Sequence, residues 1–390
     1  MSFVNWGMPL LTADAIFTPE GWLEQHVIET DPEGTVIALR PKAPHEDATH
    51  HKGVLVPGFI NAHCHLELSH LAGIIEKGLG MVPFILEVVK NRGSYGEEEQ
   101  VDAITKALQF SYEKLIVGIG DISNDTSTAN PKRLQPVLTH TFIELLGLVP
   151  EKASEILENS QKQLKVFEGL PASLTLHAPY SVSVPLAKGV SQGAPERMSI
   201  HLWESQAEID LFRDASGPFI NFNERLGLPL PSAEGKDPAS YISQYLAKEQ
   251  PILWVHLTEA TPDQLEWLMT EFPNSYFCLC PRSNLYLHEK LPDVDRFIPF
   301  SDRICLGTDS LASNDDLDVW QEALCLATNF PELSLHQLVS WLTFQAAKAL
   351  GMEQILGDFS PGKKPGINLI HVDFNKGEKV HAGSSVEKIL

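Results

Sequence analysis

Positive charge is scarce in this chain. Only 29 lysines and arginines stand against 51 aspartates and glutamates, a formal net charge of −22 over 390 residues. That balance opposes docking on a phosphate backbone, and no basic stripe offsets it, so a nucleic-acid partner is excluded. Cysteine is scarce too, with five in all: Cys64, Cys278, Cys280, Cys305 and Cys325. An odd number in a chain this long points to reduced thiols and a cytoplasmic protein, not to a disulfide framework. No uninterrupted apolar run of about 18 residues exists, so no membrane span is expected. The opening stretch MSFVNWGMPLLTADAIF has no basic segment of the kind that begins a secretory signal. Glycine-rich dinucleotide fingerprints and phosphate loops are missing as well. A small substrate is what these absences leave.

Apolar residues make up 43% of the chain and charged residues 21%, which is the balance of a folded globular protein. Eight short apolar segments read as buried strands: 58–63, 115–122, 136–145, 173–178, 197–202, 251–257, 275–280 and 303–309. Helical patterns lie between several of them, at 150–168, 237–249 and 261–272. The last two open with Asp or Thr followed by Pro, a cap and first-turn signature. A further helix is expected over 334–350, closed by Gly351. Alternating strands and helices of this number predict an α/β fold, a (β/α)8 TIM barrel. A doubly wound open sheet is the alternative. The chain ends differ from the middle. Residues 1–57 and 361–390 carry short strand-like pieces and turn signals, and each is too small to bury a sheet alone. The expected division is a barrel over 58–360 and a small β-sandwich subdomain built from both ends. Two connections are long, 66–96 after the first barrel strand and one after the fifth that includes 219–235. Both are expected to shape the substrate pocket.

Polar residues at strand ends decide between the two folds. His63, His177, His201, His256 and Asp309 each sit at or just past the end of a different candidate strand. A closed barrel converges those ends on one mouth, whereas an open sheet spreads them. In LVPGFINAHCHLELSHL, His63 and His65 stand two apart, so a strand directs both imidazoles to one side. With His201 and Asp309 they offer three neutral imidazoles and a carboxylate, a donor set for Zn²⁺ or Fe²⁺ that leaves a position for water. Glu204, three residues after His201 in HLWES, is placed to shuttle a proton over that water; its other reading is a carboxylate capping a helix start. His256 is a candidate to hydrogen-bond the attacking oxygen, and Asp309 to accept the water proton as well as ligate. His177 is a candidate substrate contact. Glu67 and Glu144 are either pocket residues or carboxylates that orient a ligand histidine. Tyr180 stacks on a planar ring or fills its loop. Arg282, Ser283 and Asn284, in CPRSNLYL, present donors at the mouth, although Asn284 also suits a turn.

These motifs carry a resemblance that covers nearly the whole chain. PGFINAHCH, HLWES with Glu208, WVH at His256, GTDS at Asp309 and SPGKKPGINLI resemble the amidohydrolase superfamily, in its cytosine/adenosine-deaminase-like branch. The resemblance assigns His63, His65, His201 and Asp309 to metal and Glu204 to proton transfer. Related two-metal barrels bridge their ions with a carboxylated lysine, cysteine or glutamate on strand four. SLTLHAPY has none, so one divalent metal ion is expected. HCHLELS, CPRSNLYL and GTDSLASN are most similar to aminodeoxyfutalosine deaminases of the alternative menaquinone pathway. The resemblance thus implies hydrolytic removal of the amino group from an aromatic N-heterocycle, such as an aminopurine nucleoside. The alternative is a related hydrolase of a halogenated heterocycle or a cyclic amide. A homodimer is an expectation by analogy to the family. A barrel kept only for binding would have lost a ligand or Glu204, and neither is missing.

Overall fold

The computed structural model describes residues 10–231, 235–374, 377, 379–380 and 383–390. Residues 1–9 and parts of the C-terminal stretch, both assigned above to the subdomain, and residues 232–234 of the second long connection lie outside the described residues.

All eight anticipated barrel strands form: β1 (Phe59–Cys64), β2 (Ile116–Ser123), β3 (Leu138–Leu145), β4 (Ala172–Leu176), β5 (Met198–Leu202), β6 (Ile252–His256), β7 (Tyr276–Leu279) and β8 (Ile304–Leu306). They pair in parallel as two four-stranded sheets, β1-β2-β3-β4 and β5-β6-β7-β8. Residues such as Ile252 to His256 are buried throughout, because helices cover one face and the barrel interior the other.

Two seams close the ring, and polar side chains supplement the ladder at each. At the β4/β5 seam the Ser199 amide donates to Thr175 Oγ1 at 2.9 Å, and that hydroxyl donates to the Ser199 carbonyl at 2.6 Å. The His201 amide donates to the His177 carbonyl at 2.9 Å. At the β8/β1 seam Asn61 Nδ2 donates to Thr308 Oγ1 at 2.7 Å, and the Thr308 amide donates to Asn61 Oδ1 at 3.1 Å. The amides of Thr308 and Asp309 both reach the His63 carbonyl, at 3.0 and 3.1 Å. Gly307 permits this approach: a Cβ there would lie 2.8 Å from the His63 carbonyl oxygen and 2.9 Å from its nitrogen. The seam therefore fixes Asp309 beside His63 through backbone contacts.

The helix expected over 334–350 is two helices, Leu335–Leu342 and Phe344–Leu350. The break falls at Thr343 (φ −129°, ψ −84°), whose hydroxyl donates to the Val339 carbonyl at 2.6 Å and so satisfies it from a side chain. The change of direction packs Ala346, Ala347, Leu350, Met352 and Leu356 against an inner cluster with Ile60, Ala62, Phe142, Val255 and Cys278. This plugs the strand ring with apolar side chains.

The two chain ends meet in one mixed sheet. Thr49–Pro57 runs parallel to Leu10–Thr18 and antiparallel to Ile367–Ile370, with Val386–Lys388, His26–Thr30, Val36–Pro41 and Gly21–Leu23 completing it. Alternation along Thr49–Pro57 divides its burial. Val54 and Val56 face the main core, whereas Leu55 joins a separate small core with Leu11, Ile16, Ile28, Phe359, Ile367 and Leu369. Two apolar faces on one strand bind this sheet to the barrel.

Candidate active site

The carboxyl ends of the strands carry a cluster of buried titratable groups. His63 is the next-to-last residue of β1, and His65 (φ −115°, ψ 83°) follows the strand's end at Cys64, just before the short helix Leu66–Leu71. Their rings lie 5.0 Å apart at 81°. His65 Nε2 is 3.4 Å from His201 Nε2 and 3.4 Å from Asp309 Oδ1, and His63 Nε2 is 3.7 Å from the same oxygen. His63 Nε2 is buried and has no hydrogen-bond partner. His63, His65 and Asp309 present ligand atoms within 4.8 Å of one another, and so do His63, His201 and His256. An orphaned imidazole nitrogen among these atoms is the signature of a cation's place: buried polar atoms otherwise find partners. The donor set of three imidazoles and a carboxylate fits one divalent metal ion, which His63, His65, His201 and Asp309 would hold.

Protonation is consistent with that role. Burial pushes the imidazoles down: His65 well below its ordinary range, His201 to about 3 with help from His63 and His177, and His177 to about 4. Neutral rings keep the lone pair that a metal requires. Burial works to raise the Asp309 carboxyl, but His63, His65 and His256 outweigh it and hold the group well below the usual carboxylate range. Its two oxygens are differentiated. Oδ1 faces the histidines, whereas Oδ2 accepts from Ser283 Oγ at 2.7 Å and Ser313 Oγ at 2.6 Å.

Glu204 and His256 stand beside this cluster, with Oε1 and Nε2 3.5 Å apart. Burial, with Asp309 and Glu208 nearby, pushes the Glu204 carboxyl well above its ordinary range. A carboxyl whose hold on a proton is strengthened in this way is suited to taking one up and giving it back. The Glu204 amide donates to Glu208 Oε2 at 3.1 Å, which fixes the backbone there. Behind His256, Asn284 Nδ2 is 3.5 Å from Nδ1. Four residues at these strand ends have left-handed backbones: Trp203 (φ 49°), His256 (φ 70°), Leu257 (φ 56°) and Asp309 (φ 59°). Such conformations are costly for non-glycine residues and persist where surrounding structure imposes them. They turn the side chains at the strand ends.

Second contacts reach outward from His201. Its Nδ1 lies 3.1 Å from the His177 carbonyl and 3.5 Å from Glu144 Oε1. Asn124 ties two buried carboxylates together: its amide donates to Glu67 Oε2 at 2.7 Å and its Nδ2 to Glu144 Oε2 at 2.9 Å. Asn124 carried no sequence signal beyond an ordinary turn residue, because its partners lie on other segments, and Ser313, which bonds Asp309 four residues back, looks like any small polar residue of a loop.

A cavity of about 380 Å³ opens above the cluster. His65, Glu144, His177, Tyr180, His201, Glu204, His256 and Asp309 reach its surface. Glu67 and Asn284 do not, and lie behind the wall. Arg282 is directed away from it. The run of acids at 315–322 captures it: NH1 donates to Asp316 Oδ1 at 2.6 Å, and its amide donates to Glu322 Oε2 at 2.8 Å. The expected contact between Arg282 and substrate is therefore corrected to a brace that joins the β7 and β8 connections. Both long connections do wall the cavity, through the helices Met81–Asn91 and Pro218–Leu226.

The sequence profile described as "Amidohydrolase family" matches residues 54–383. The chain belongs to the amidohydrolase family. It is similar to an adenosine deaminase of Helicobacter pylori, 29% identical over 348 residues that cover 86% of this chain and 83% of that one. It is also similar to an aminodeoxyfutalosine deaminase of a Nitratiruptor species, 26% identical over 386 residues that cover 93% and 91%. Among solved structures, Helicobacter pylori aminofutalosine deaminase in complex with methylthio-coformycin superposes with a TM-score of 0.80 at 27% identity, covering 94% of this chain and 92% of that chain. Within the amidohydrolase family, the strand-end histidines and aspartate described above occupy the mouth of the barrel, where (β/α)8 enzymes carry their chemistry.

Proposed function

We propose that this amidohydrolase is a mononuclear metal-dependent deaminase that hydrolyses the amino group from an aminopurine nucleoside, such as 6-aminodeoxyfutalosine. The observation that carries the reading is the juxtaposition of a neutral-imidazole donor set with Glu204 and His256, 3.5 Å apart, at the floor of one cavity. Similarity to aminodeoxyfutalosine deaminases over nine-tenths of the chain supports the substrate class. It also supports a place in menaquinone biosynthesis. Zn²⁺ is the ion we assign, Fe²⁺ being the other that the donor set suits.

A divalent ion in this donor set supplies Lewis acidity that brings the pKa of water toward neutrality. Asp309 Oδ1 accepts the proton of the attacking water, while the Ser283 and Ser313 hydroxyls hold Oδ2 and keep Oδ1 aimed. Glu204 delivers its proton to the ring nitrogen next to the amino-bearing carbon. His256 Nε2 donates to the oxygen as negative charge develops there, and Asn284 steadies the ring from behind. Glu144 orients His201 through Nδ1. His177 and Tyr180 contact the heterocycle. A proton returned through Glu204 or Asp309 releases ammonia.

The chain divides into a catalytic barrel, 58–360, and a composite unit of 1–57 with 361–390. It works in the cytoplasm, in keeping with reduced cysteines; no helix among the described residues is long and apolar enough to cross a membrane. It pairs as a homodimer. The decisive experiment is an ammonia-release screen of metal-replete protein against adenine nucleosides, cytosines and 6-aminodeoxyfutalosine, with metal counted per chain. Turnover of an adenine nucleoside at one ion per chain is expected. Release of halide or ring opening without ammonia, or two ions per chain, would refute the proposal.

A further inference from the structure

Three of the four metal-binding side chains are backed by a second group, and one is not. His63 Nδ1 faces Ser199 Oγ at 3.5 Å, His201 Nδ1 faces the His177 carbonyl at 3.1 Å, and Asp309 Oδ2 accepts from Ser283 and Ser313. His65 makes its polar contacts through Nε2 alone, with His201 and Asp309; its Nδ1 has no hydrogen-bond partner among the described residues. A ligand histidine ordinarily gives its second nitrogen to an acceptor that fixes the ring. His65 has to be fixed in another way, through its main chain.

That main chain is gripped from outside the site. His65 precedes the helix Leu66–Leu71, and its own side chain does not cap that helix. The first amide of a helix finds no partner within it. Here the Leu66 amide donates to Asp121 Oδ1 at 2.8 Å, and the His65 carbonyl accepts from the Leu68 amide at 3.2 Å. Both polar atoms of the peptide joining His65 to Leu66 are therefore held. Asp121 lies on β2 in register with Cys64, so its carboxylate stands beside the turn. Its other oxygen, Oδ2, accepts from Lys132 Nζ, on the short helix Ala129–Arg133. That ammonium also donates to Thr141 Oγ1 of β3 at 2.7 Å and lies 5.2 Å from the Phe167 ring. The Asp121 and Lys132 side chains are wholly buried, and neither reaches the cavity. Burying an ion pair costs desolvation that its attraction repays poorly, so stability alone does not account for this one.

We propose that the Asp121–Lys132 pair is the positioning element of His65. Asp121 holds the peptide that follows this ligand, and Lys132 occupies Oδ2 so that Oδ1 is left to the Leu66 amide. The imidazole is thereby set in place before an ion arrives. Asp121 touches neither substrate nor metal and acts through His65. The inference rests on the donor set and is independent of which ring the enzyme deaminates.

The test compares two double variants of the full chain, Asp121→Leu with Lys132→Met and Asp121→Asn with Lys132→Met. Both remove the two charges together, which avoids stranding either one. Only the asparagine variant keeps an oxygen for the Leu66 amide. Zinc affinity is measured by competition with a chelator, and ligand geometry by the visible absorption of the Co²⁺-loaded chains. The leucine variant is expected to bind zinc about ten- to a hundredfold more weakly and to show an altered Co²⁺ spectrum. The asparagine variant should recover most of both. Native affinity and spectrum in the leucine variant overturn the inference, as does equal impairment of the two doubles. Should the leucine variant fail to fold, the native chain decides. Hydrogen exchange of the metal-free protein, resolved to single amides, is expected to protect the Leu66 amide as strongly as those of β1. Fast exchange there beside a protected strand overturns the inference. Ammonia release is scored separately: zinc affinities as expected without ammonia release keep the role of Asp121 and remove the deaminase. A native chain that binds no zinc overturns both.

Discussion

The floor of the cavity and its walls are built by opposite means. The floor consists of charged and polar side chains at strand ends, nearly all buried, each held by a second group: Asp309 by two serines, Glu204 through Glu208, His201 by the His177 carbonyl. Its backbone is strained at Trp203, His256, Leu257 and Asp309. The walls are apolar, lie on helices in long connections, and leave Val89 and Leu226 more than half exposed. Strand ends cannot drift without breaking the barrel, so they suit groups that must meet within a few tenths of an ångström. A helix in a connection changes its side chains without touching the ladder, so it suits the choice of substrate.

Perturbing the floor should therefore cost chemistry, and perturbing the walls should cost selection. The largest loss is expected from Asp309→Ala, which removes a ligand and a proton acceptor together: turnover should fall by about 10⁴-fold or more and metal content should drop by elemental analysis. Retained metal with near-native turnover would unseat Asp309. Glu204→Gln should keep one ion per chain while kcat falls by about 10²- to 10⁴-fold, the range of a lost general acid–base.

Acid should act next, on stability. His140, beneath the floor, has its Nε2 2.9 Å from Ser173 Oγ, and burial lowers its pKa to about 3. The unfolded chain takes up a proton near 6.5 and the folded chain only near 3, so stability declines as pH falls below 6.5, by up to ~1.4 kcal/mol per pH unit from this one group. Urea unfolding of metal-free protein at pH 6.5 and 4.5 should show a shallower decline in His140→Gln; equal slopes would refute it. Ser313→Ala leaves Asp309 with Ser283 alone, and kcat should fall about tenfold, matching the loss of one hydrogen bond to a charged group at ~1.5–3 kcal/mol. The smallest effect belongs to the wall. Phe222→Ala should raise KM by about three- to tenfold and alter kcat little, the mark of a contact made equally in ground and transition states. A kcat loss as large as that of Ser313→Ala would break the contrast between floor and wall.

Legibility in the sequence follows the same division. A buried strand writes a short apolar run, and a polar residue at its end stands out against that run. His201 and Asp309 could be read for that reason. Asn124 and the role of Glu322 could not, because a hydrogen bond between distant segments leaves no period in either, nor could Ser313, since a serine four residues past Asp309 is an ordinary loop residue until the turn is folded. Arg282 was misread since its neighbours in sequence face the site, while the acids that capture it lie some 33 to 40 positions away. Thr343 interrupts an apolar pattern that stays helical on both sides, so periodicity alone joined the two helices.

By itself, the order of residues determined the eight strands, the parallel alternation and the donor set, since these depend on local periodicity and on chemistry that each side chain carries wherever it lies. The tertiary structure alone decided which oxygen of Asp309 is free, that Glu67 and Asn284 stand behind the wall, and that two helices wall the cavity with apolar side chains. Those are outcomes of closure: the seams at Ser199 and Gly307 bring distant segments within hydrogen-bond reach, and only then does one side chain determine the protonation and direction of another.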